Sequence, residues 1–216
     1  MNRFTICTAE QRSPEWFAAR LGRATGSKAS AVLAKAKSGN GEASTRRDYR
    51  VQLAIERITG VVEEDDFLSK DMKRGIEHEP DGIAAYESFR GEIVRRTGFL
   101  ALNDCMAGCS LDFDVNNFEG FGELKCPKPA IHLSYVEENR VPPAYEDQIL
   151  HNFWASGAKW CDFASYCASV PEHLQLFVKR VWRDESVITC YDAAIKRFLA
   201  EVNLTVKRIR EMKVAA

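Results

Sequence analysis

The sequence predicts an α/β fold in which helices come first, a mainly antiparallel or mixed sheet follows, and a long helix ends the chain. Three observations support this class. Helix caps and helical apolar spacing recur up to about residue 89, short apolar segments begin near residue 92, and an amphipathic stretch covers residues 192–212. No repeat, low-complexity tract or clear linker interrupts the sequence, so we expect a single domain spanning residues 1–216.

The composition is typical of a folded protein in a reducing compartment. Hydrophobic residues make up 45% and charged residues 28%, which excludes the disordered and collagen-like classes. No apolar run has signal-peptide length or approaches the ~18 residues of a membrane span. Seven cysteines without a CxxC pair indicate reduced thiols instead of a disulfide framework or a zinc site. We therefore expect a cytoplasmic protein without a membrane partner.

Helices are predicted from caps and apolar spacing. Ser13 followed by Pro14 is typical of a helix start, and Gly60 is typical of a helix end. Ser44 or Thr45 would cap the helix that ends at Gly60. Pro80 lies inside the next helical segment and should start, kink or break it. The predicted helices cover residues 14–21, 29–36, 45–59, 73–89, 145–154 and 192–212.

Strands are predicted mainly in the middle of the chain. Their apolar segments are short, and Gly, Asn and Asp separate them, as in strands joined by turns. A flexible loop at residues 38–41 and an acidic turn at residues 63–66 interrupt the helical region. The predicted strands cover residues 93–94, 99–102, 105–112, 120–126, 159–167 and 174–182.

Charge is distributed unevenly along the chain. The 30 basic and 31 acidic residues give a net charge of −1, yet residues 20–50 contain eight basic residues and only two acidic ones. This segment is a candidate phosphate-binding region, and the alternative is a solvated helical surface rich in Lys and Arg. The basic residues are Arg20, Arg23, Lys28, Lys35, Lys37, Arg46, Arg47 and Arg50.

Residues 110–127 carry the clearest chemical pattern. Residues two apart on a strand share a face, so Glu123 and Lys125 would lie together, and a hairpin could bring Asp112 beside them. Facing carboxylates repel unless a cation neutralises them, and hard oxygen ligands suit Mg²⁺ or Mn²⁺. A lysine there could orient and help deprotonate a water that attacks phosphorus. The alternative interpretation is an ordinary solvent-facing Glu/Lys pair.

Several segments, in chain order, resemble the phage lambda exonuclease and YqaJ-type viral recombinase family, a branch of the PD-(D/E)XK nucleases. The strongest match is GELKCP at residues 122–127, which is similar to the family's Glu-Leu-Lys-Cys-Pro motif. The resemblance implies a PD-(D/E)XK core, a central mixed sheet flanked by helices. The other matching segments are residues 13–22 (SPEWFAARLG), 25–27 (TGS), Gly75 with Glu79, 110–112 (SLD) and 144–148 (AYEDQ).

The resemblance implies a catalytic centre with two metal ions. Asp112 and Glu123 would bind the metals together with the carbonyl of Leu124. Glu79 would assist at the second metal, and Lys125 would act on the nucleophilic water. The cofactor would be Mg²⁺, for which Mn²⁺ could substitute.

The resemblance also implies a pocket for the terminal 5′-phosphate. Arg20, Thr25, Ser27 and Ser110 correspond to its residues, and a cation with three hydroxyls suits a phosphate. Gln148 would position its helix at the catalytic centre. Taken singly, Arg20 could instead pair with an acid at the end of a helix, and Thr25 and Ser27 could be helix N-caps. Gln148 could be an ordinary exposed helix residue.

This sequence departs from the family pattern at a few positions. Leu111 replaces the proline of the Ser-Pro-Asp motif, and Phe113 replaces the following glycine. Asp114 supplies a second acid on the same strand face, so the metal ligand could be Asp112 or Asp114. Leu150 replaces a second family glutamine, which puts the role of that position in phosphate binding in doubt.

Met72 lies where the family places an apolar residue that helps to separate the DNA strands. Core packing is the preferred interpretation for this single methionine.

The resemblance implies a Mg²⁺-dependent 5′-to-3′ exonuclease that enters at double-stranded DNA ends and leaves 3′ overhangs for recombination by single-strand annealing. Its family works as a ring-shaped homotrimer and passes its product to a phage single-strand annealing protein. We therefore expect a phage or prophage protein in the cytoplasm of a bacterial host. The alternatives are a PD-(D/E)XK endonuclease, a nuclease preferring single strands or 3′ ends, and a catalytically silent DNA-end-binding adaptor.

Overall fold

A computed structural model of the chain describes residues 3–36, 41–63 and 69–212. Within these ranges the strands form two four-stranded mixed sheets with helices packed around them. The strands are β1 (Phe4–Cys7), β2 (Ala24–Thr25), β3 (Phe99–Leu102), β4 (Ala107–Ser110), β5 (Phe113–Val115), β6 (Gly120–Lys125), β7 (Trp160–Tyr166) and β8 (Leu176–Trp182). The helices are α1 (Pro14–Arg20), α2 (Ala29–Leu33), α3 (Ser44–Thr59), α4 (Lys70–Arg90), α5 (Pro129–Glu138), α6 (Pro143–Ser156) and α7 (Glu185–Glu211).

The two sheets meet where the chain passes from β4 to β5. The first sheet has the order β1-β3-β4-β2 and the second has the order β5-β6-β7-β8. Strand β6 runs parallel to β7, so the chain must cross over between them, and α5 and α6 form this crossover. Asp112 lies in the short connection between the sheets. The predicted α/β class with mixed sheets and flanking helices is confirmed, and the strands divide between two sheets instead of one.

The hydrophobic core holds α4 and α6 in place around strand β6. Phe121 on β6 packs edge to face against Phe153 of α6, with ring centroids 5.1 Å apart. Leu124, three residues later, lies against α4, where Gly82 leaves room for it: a Cβ at Gly82 would lie 2.9 Å from Leu124 Cδ2. The buried apolar residues form two clusters, and Leu124 belongs to the smaller one. Tyr86 of α4 is completely buried in this smaller cluster. Alternate residues of β6 therefore face different helices.

Several elements differ from the sequence prediction. Strands β1, β2 and β5 and helix α5 were not predicted, because short edge segments and a helix without a clear apolar stripe carry weak local signals. Residues 93–94 form no strand, and the neighbouring Arg95 makes a single bridge to Asp114. The loop predicted at 38–41 and the turn predicted at 63–66 lie largely outside the described residues.

Some helix boundaries also differ. Helix α4 continues through Pro80, because the turns that follow pack Ile83 and Tyr86 against the second sheet. Helix α7 begins at Glu185, earlier than the predicted residue 192, and Asp184 caps it by accepting the backbone N–H of Ser186. Helix α2 ends at Leu33 instead of residue 36, and α3 begins at Ser44 after Ala43, so neither predicted cap residue caps it. Within the described ranges, no helix is both long and apolar enough to cross a bilayer.

A buried carboxylate ties α4 to the second sheet. Asp162 of β7 is completely buried and accepts hydrogen bonds from Tyr86 at 2.7 Å, Arg90 at 2.7 Å and Arg180 at 2.8 Å. Burial opposes its charged form, but the hydrogen bonds from Arg180 and Tyr86 and the charges of Arg90 and Arg180 together outweigh burial and lower the pKa of Asp162.

Replacing Asp162 by Asn should lower the free energy of unfolding by roughly 3 kcal/mol at pH 7, because two arginines lose their buried counter-ion. The pKa of Asp162 is lower in the folded protein, so its contribution is present above the unfolded value of about 3.9 and is lost as the pH falls further. Urea unfolding followed by circular dichroism measures both effects. Asp71→Asn, which breaks an exposed pair with Lys128, is the matched control and should cost under about 1 kcal/mol. Equal losses of unfolding free energy in Asp162→Asn and Asp71→Asn would show that the buried Asp162 stabilises the fold no more than an exposed ion pair does.

Candidate active site

Glu123 is the centre of the candidate site. It is completely buried on β6, in a strand segment where Gly120 and Gly122 leave room for the rings of Trp160 and Phe113. A Cβ at Gly122 would lie 2.0 Å from Phe113 Cζ, so the glycine allows the ring to cover the strand. These glycines therefore serve packing, which brings β5 and β7 close on both sides of Glu123.

Both carboxylate oxygens of Glu123 have donors. Lys125 Nζ lies 2.5 Å from Oε1, and Gln148 Nε2 donates to the same oxygen at 2.6 Å. Asn152 Nδ2 donates to Oε2 at 3.3 Å. Burial raises the pKa of Glu123 and the Asp112 carboxylate raises it further, whereas Lys125 and Gln148 act in the opposite direction. The predicted association of Glu123 with Lys125 and Gln148 is therefore present in the fold.

Asp112 completes this group. Its Oδ2 accepts the backbone N–H of Leu124 at 2.6 Å and lies 3.9 Å from Lys125 Nζ. Burial opposes the charge of Lys125, but the carboxylates of Glu123 and Asp112 outweigh burial and raise the pKa of the ammonium. Lys125 thus carries its proton at neutral pH and lies between two carboxylates as a cation.

Asp114 occupies a different environment from Asp112. It is buried on β5, lies 2.5 Å from Arg95 Nη2 and accepts the backbone N–H of Phe118 at 3.2 Å. Arg95 therefore already neutralises Asp114. The geometry favours Asp112 as the residue that acts with Lys125.

Glu79 lies on α4 and faces the same cleft as Asp112. The cleft has a volume of about 440 Å³, and Arg95, Arg96 and Ile76 also line it. Glu79 forms an ion pair with Arg96, a partner that the sequence did not indicate. Burial, followed by the neighbouring Asp112 carboxylate, raises the pKa of Glu79.

Met72 lies on the same face of α4 as Ile76 and Glu79, at helical spacing. Met72 is 48% exposed and Ile76 is 50% exposed, so the interpretation of Met72 as a core residue is wrong. Met72 and Ile76 therefore form an exposed apolar pair on the face of α4 that carries Glu79, toward the N-terminus of the helix.

The residues expected to bind a 5′-phosphate lie at the ends of α1, β2 and β4. The hydroxyl oxygens of Thr25 and Ser27 are 3.5 Å apart, and Tyr49 accepts the backbone N–H of Thr25 at 3.0 Å. Arg20 is largely buried, with its guanidinium carbon 4.1 Å from the centre of the Trp16 ring. Arg20 and Thr25 line one small pocket with Tyr49.

Ser110 lies on β4, next to these residues in the sheet. Strand β2 pairs with β4 in parallel, with Thr25 opposite Gly108, two residues before Ser110. The Ser110 hydroxyl is buried and has no hydrogen-bond partner among the described residues.

Three arginines of the basic segment of residues 20–50 contact other parts of the fold. Arg46 and Arg50 both form ion pairs with Glu42, and Arg46 also pairs with Glu201 of α7 at 2.6 Å. Arg23 donates to three backbone carbonyl groups. These three arginines therefore already have partners within the protein, and phosphate binding by the segment stays a prediction.

Asn152 was not identified from the sequence, although it is a buried polar residue beside Glu123. One signal could have found it. Asn152 lies four residues after Gln148, so both amides occupy one face of α6. Without knowledge of the helix packing, an asparagine at this spacing is indistinguishable from a surface residue.

The donors of the site suit a hard divalent cation. Asp112 and Glu123 offer carboxylate oxygens, and Leu124, whose carbonyl is the third expected ligand, adjoins Glu123 on β6. Mg²⁺ usually binds through one or two carboxylates and retains several waters, so a complete protein cage is not needed. No group of three His, Cys, Asp or Glu side chains in the described part of the chain is arranged as a metal cage. The residues therefore fit a hydrated Mg²⁺ or Mn²⁺.

Comparisons with known structures show which proteins this chain is similar to. The chain is 32% identical to the alkaline exonuclease LHK-Exo from Laribacter hongkongensis, with a TM-score of 0.81 over 92% of this chain and 96% of that chain. LHK-Exo in complex with dAMP gives the same values. A phage-related exonuclease from Haemophilus somnus 129PT is 12% identical, with a TM-score of 0.70 over 87% of this chain and 96% of that chain, which shows a shared fold.

Sequence comparison leads to the same group of proteins. No curated protein matches the chain. A family model described as the YqaJ-like viral recombinase domain matches residues 15–159, which include the buried Glu123 and its neighbours Asp112, Lys125 and Gln148. The similarity to alkaline exonucleases supports a nuclease function in recombination. The chain belongs to the YqaJ-like viral recombinase family.

Proposed function

We propose that this protein is a Mg²⁺-dependent exonuclease that acts at double-stranded DNA ends. It digests the 5′-terminated strand in the 5′-to-3′ direction and leaves 3′ overhangs for recombination by single-strand annealing. The observation that carries the proposal is the buried Glu123 carboxylate, held between Lys125 and Gln148 with Asp112 beside them. A buried acid with these partners, next to an Asp112 that lines an open cleft, is suited to phosphodiester hydrolysis.

The proposed metal ligands are Asp112, Glu123 and the carbonyl of Leu124, with Glu79 assisting at a second ion. Bound Mg²⁺ ions would polarise the phosphodiester and stabilise charge on the attacking and leaving oxygens. Mn²⁺, which also prefers oxygen ligands, could substitute.

The protein's own side chains position the reactants. Lys125, held as a cation by two carboxylates, orients the attacking water and stabilises charge that develops on the phosphoryl oxygens. Gln148 holds Glu123 in one orientation through the 2.6 Å hydrogen bond. The cleft beside Asp112 and Glu79 is the proposed path of the substrate strand. A water attacks the phosphorus between the first two nucleotides, and the P–O3′ bond to the terminal nucleotide breaks. The 3′-oxygen takes up a proton, the terminal nucleotide leaves as a 5′-mononucleotide, and the shortened strand keeps the phosphate as its new 5′ end.

Arg20, Thr25, Ser27 and Ser110 are the proposed ligands of the terminal 5′-phosphate. The Thr25 and Ser27 hydroxyls are adjacent, and the Ser110 hydroxyl has hydrogen-bonding capacity that no other described residue uses. LHK-Exo, which is 32% identical to this chain, has been crystallised with dAMP, a nucleoside monophosphate. Its complex supports a site that accepts a mononucleotide.

We also propose the assembly and partners that the family implies. The protein would act as a homotrimer of single nuclease domains spanning residues 1–216. It would pass its product to a phage single-strand annealing protein in the cytoplasm of a bacterial host, as a phage or prophage gene product.

Digestion of linear duplex DNA tests the proposed function. Duplexes with a 5′-phosphate or a 5′-hydroxyl, with the two strands carrying different fluorophores, should be compared with covalently closed circles in Mg²⁺ or EDTA. We expect Mg²⁺-dependent shortening of the 5′-phosphorylated strand from its 5′ end, slower digestion of the hydroxyl end, and intact circles. Cleaved circles would indicate an endonuclease instead. Binding of DNA ends without any digestion would indicate an adaptor.

A further inference from the structure

Asn152 contacts the Glu123 carboxylate from the side opposite Gln148. Asn152 is completely buried on α6, and its Nδ2 lies 3.3 Å from Glu123 Oε2, whereas Gln148 and Lys125 both contact Oε1. The two amides are one helical turn apart. Together with Lys125 they hold both oxygens of Glu123, which fixes the orientation of the carboxylate.

The other end of the Asn152 amide has no partner. Its Oδ1 is buried and accepts no hydrogen bond from the described residues. The nitrogen must face Glu123, because an amide oxygen would repel the carboxylate, so the orientation of the amide is settled by its surroundings. An unpaired buried carbonyl costs about 1–3 kcal/mol. Packing alone would favour an apolar residue at this position.

Gly26 lies directly against this oxygen. A Cβ on Gly26 would be 2.5 Å from Asn152 Oδ1, closer than Cβ atoms come to other heavy atoms in proteins. Gly26 lies between Thr25 and Ser27, two of the proposed 5′-phosphate ligands. Asn152 therefore touches the turn at residues 25–27 on one side and the Glu123 carboxylate on the other.

The elements on both sides of this contact are held by buried hydrogen bonds. Tyr49 holds the backbone of Thr25, and His151, next to Asn152, is fixed by Tyr191 at 2.7 Å and by the carbonyl of Gly108 at 2.9 Å. A shift of the turn would therefore be transmitted to the Asn152 amide instead of being absorbed by its neighbours.

We propose that Asn152 is a positioning residue that couples the turn at residues 25–27 to Glu123, so that the seating of a terminal phosphate and the metal-binding orientation of the carboxylate depend on each other. This inference rests on the proposed function. It predicts that substitutions at Asn152 and at Gly26 both weaken metal binding.

Mn²⁺ binding, measured by isothermal titration calorimetry without DNA, tests the coupling. Asn152→Ala should weaken Mn²⁺ binding about tenfold, the lower end of the effect of removing a residue that orients a metal ligand. Asn152→Ser, which keeps a small donor, should be less affected. Gly26→Ala should also weaken binding, because its Cβ displaces the amide, although Gly26 offers no side chain to a metal.

The double variant distinguishes coupling from two independent defects. When residue 152 is alanine, a Cβ at residue 26 has room, so the double variant should bind Mn²⁺ no more weakly than Asn152→Ala alone. Ser156→Ala removes the 2.6 Å hydrogen bond from the Ser156 hydroxyl to the backbone carbonyl of Asn152 but leaves the Asn152 amide in place; it is the matched control and should bind like the wild type. Thermal unfolding of each variant monitors folding.

Three outcomes would overturn the inference: wild-type Mn²⁺ affinity in Asn152→Ala, wild-type affinity in Gly26→Ala, or additive losses in the double variant. A wild-type protein that bound no Mn²⁺ would overturn both this inference and the proposed metal site. If the wild type bound Mn²⁺ with the expected coupling but digested no DNA, only the proposed function would fail.

Discussion

Replacing Glu123 by Gln is expected to reduce hydrolysis of 5′-phosphorylated duplex DNA by at least ~10³-fold, which corresponds to about 4 kcal/mol of lost transition-state stabilisation. Gln has the same shape as Glu but lacks the charge that attracts a divalent cation. Single-turnover digestion of an end-labelled duplex in excess enzyme measures the chemical step without product release. Because the interaction is lost mainly in the transition state, kcat should fall far more than DNA affinity.

Two measurements separate this result from a loss of folding. Fluorescence anisotropy with the same duplex in Ca²⁺ should show DNA binding close to that of the wild type. Glu119→Gln is the matched control, because Glu119 lies four residues earlier and forms a 3.1 Å ion pair with the exposed Lys159. It should retain full activity. Wild-type hydrolysis by the Glu123 variant would show that the catalytic centre lies elsewhere.

Lys125→Met should lower kcat by about 10²–10⁴-fold, the range expected when a group that positions or transfers a proton is removed. Methionine fills a similar volume but cannot donate to a water or to the Glu123 carboxylate. Loss of Lys125 also removes the cation between Glu123 and Asp112, and the negative charges of these two carboxylates then repel each other. Steady-state digestion at saturating Mg²⁺ measures the effect on kcat and KM separately.

Lys128→Gln is the control for this second prediction. Lys128 lies three residues further along the chain and forms an exposed ion pair with Asp71, 2.9 Å away. Its removal should leave kcat unchanged. A Lys125→Met enzyme with a normal kcat but a raised KM would assign Lys125 to DNA binding and would refute its role at the attacking water.

The sequence alone determined much of the candidate site, because that information is local. Residues two apart on one strand share a face, so the spacing of Glu123 and Lys125 was enough to predict their contact. Helices with a cap or a clear apolar stripe, such as α1 and α7, were also predictable in type, although the start of α7 was not. The resemblance to one nuclease family depended on the same local motifs, and the family match confirmed it.

The tertiary structure decided which groups meet across long distances in sequence. Asp112 and Asp114 have the same chemistry and the same strand face by spacing, and only their partners in the fold distinguish them: Lys125 lies near Asp112, whereas Arg95 pairs with Asp114. The contact of Asn152 with Glu123 requires α6 to pack beside β6. Strand β2, two residues long, exists only because β4 pairs with it. Periodicity reports the neighbours of a residue along the chain, whereas burial, charge partners and strand pairing depend on residues that folding alone brings together.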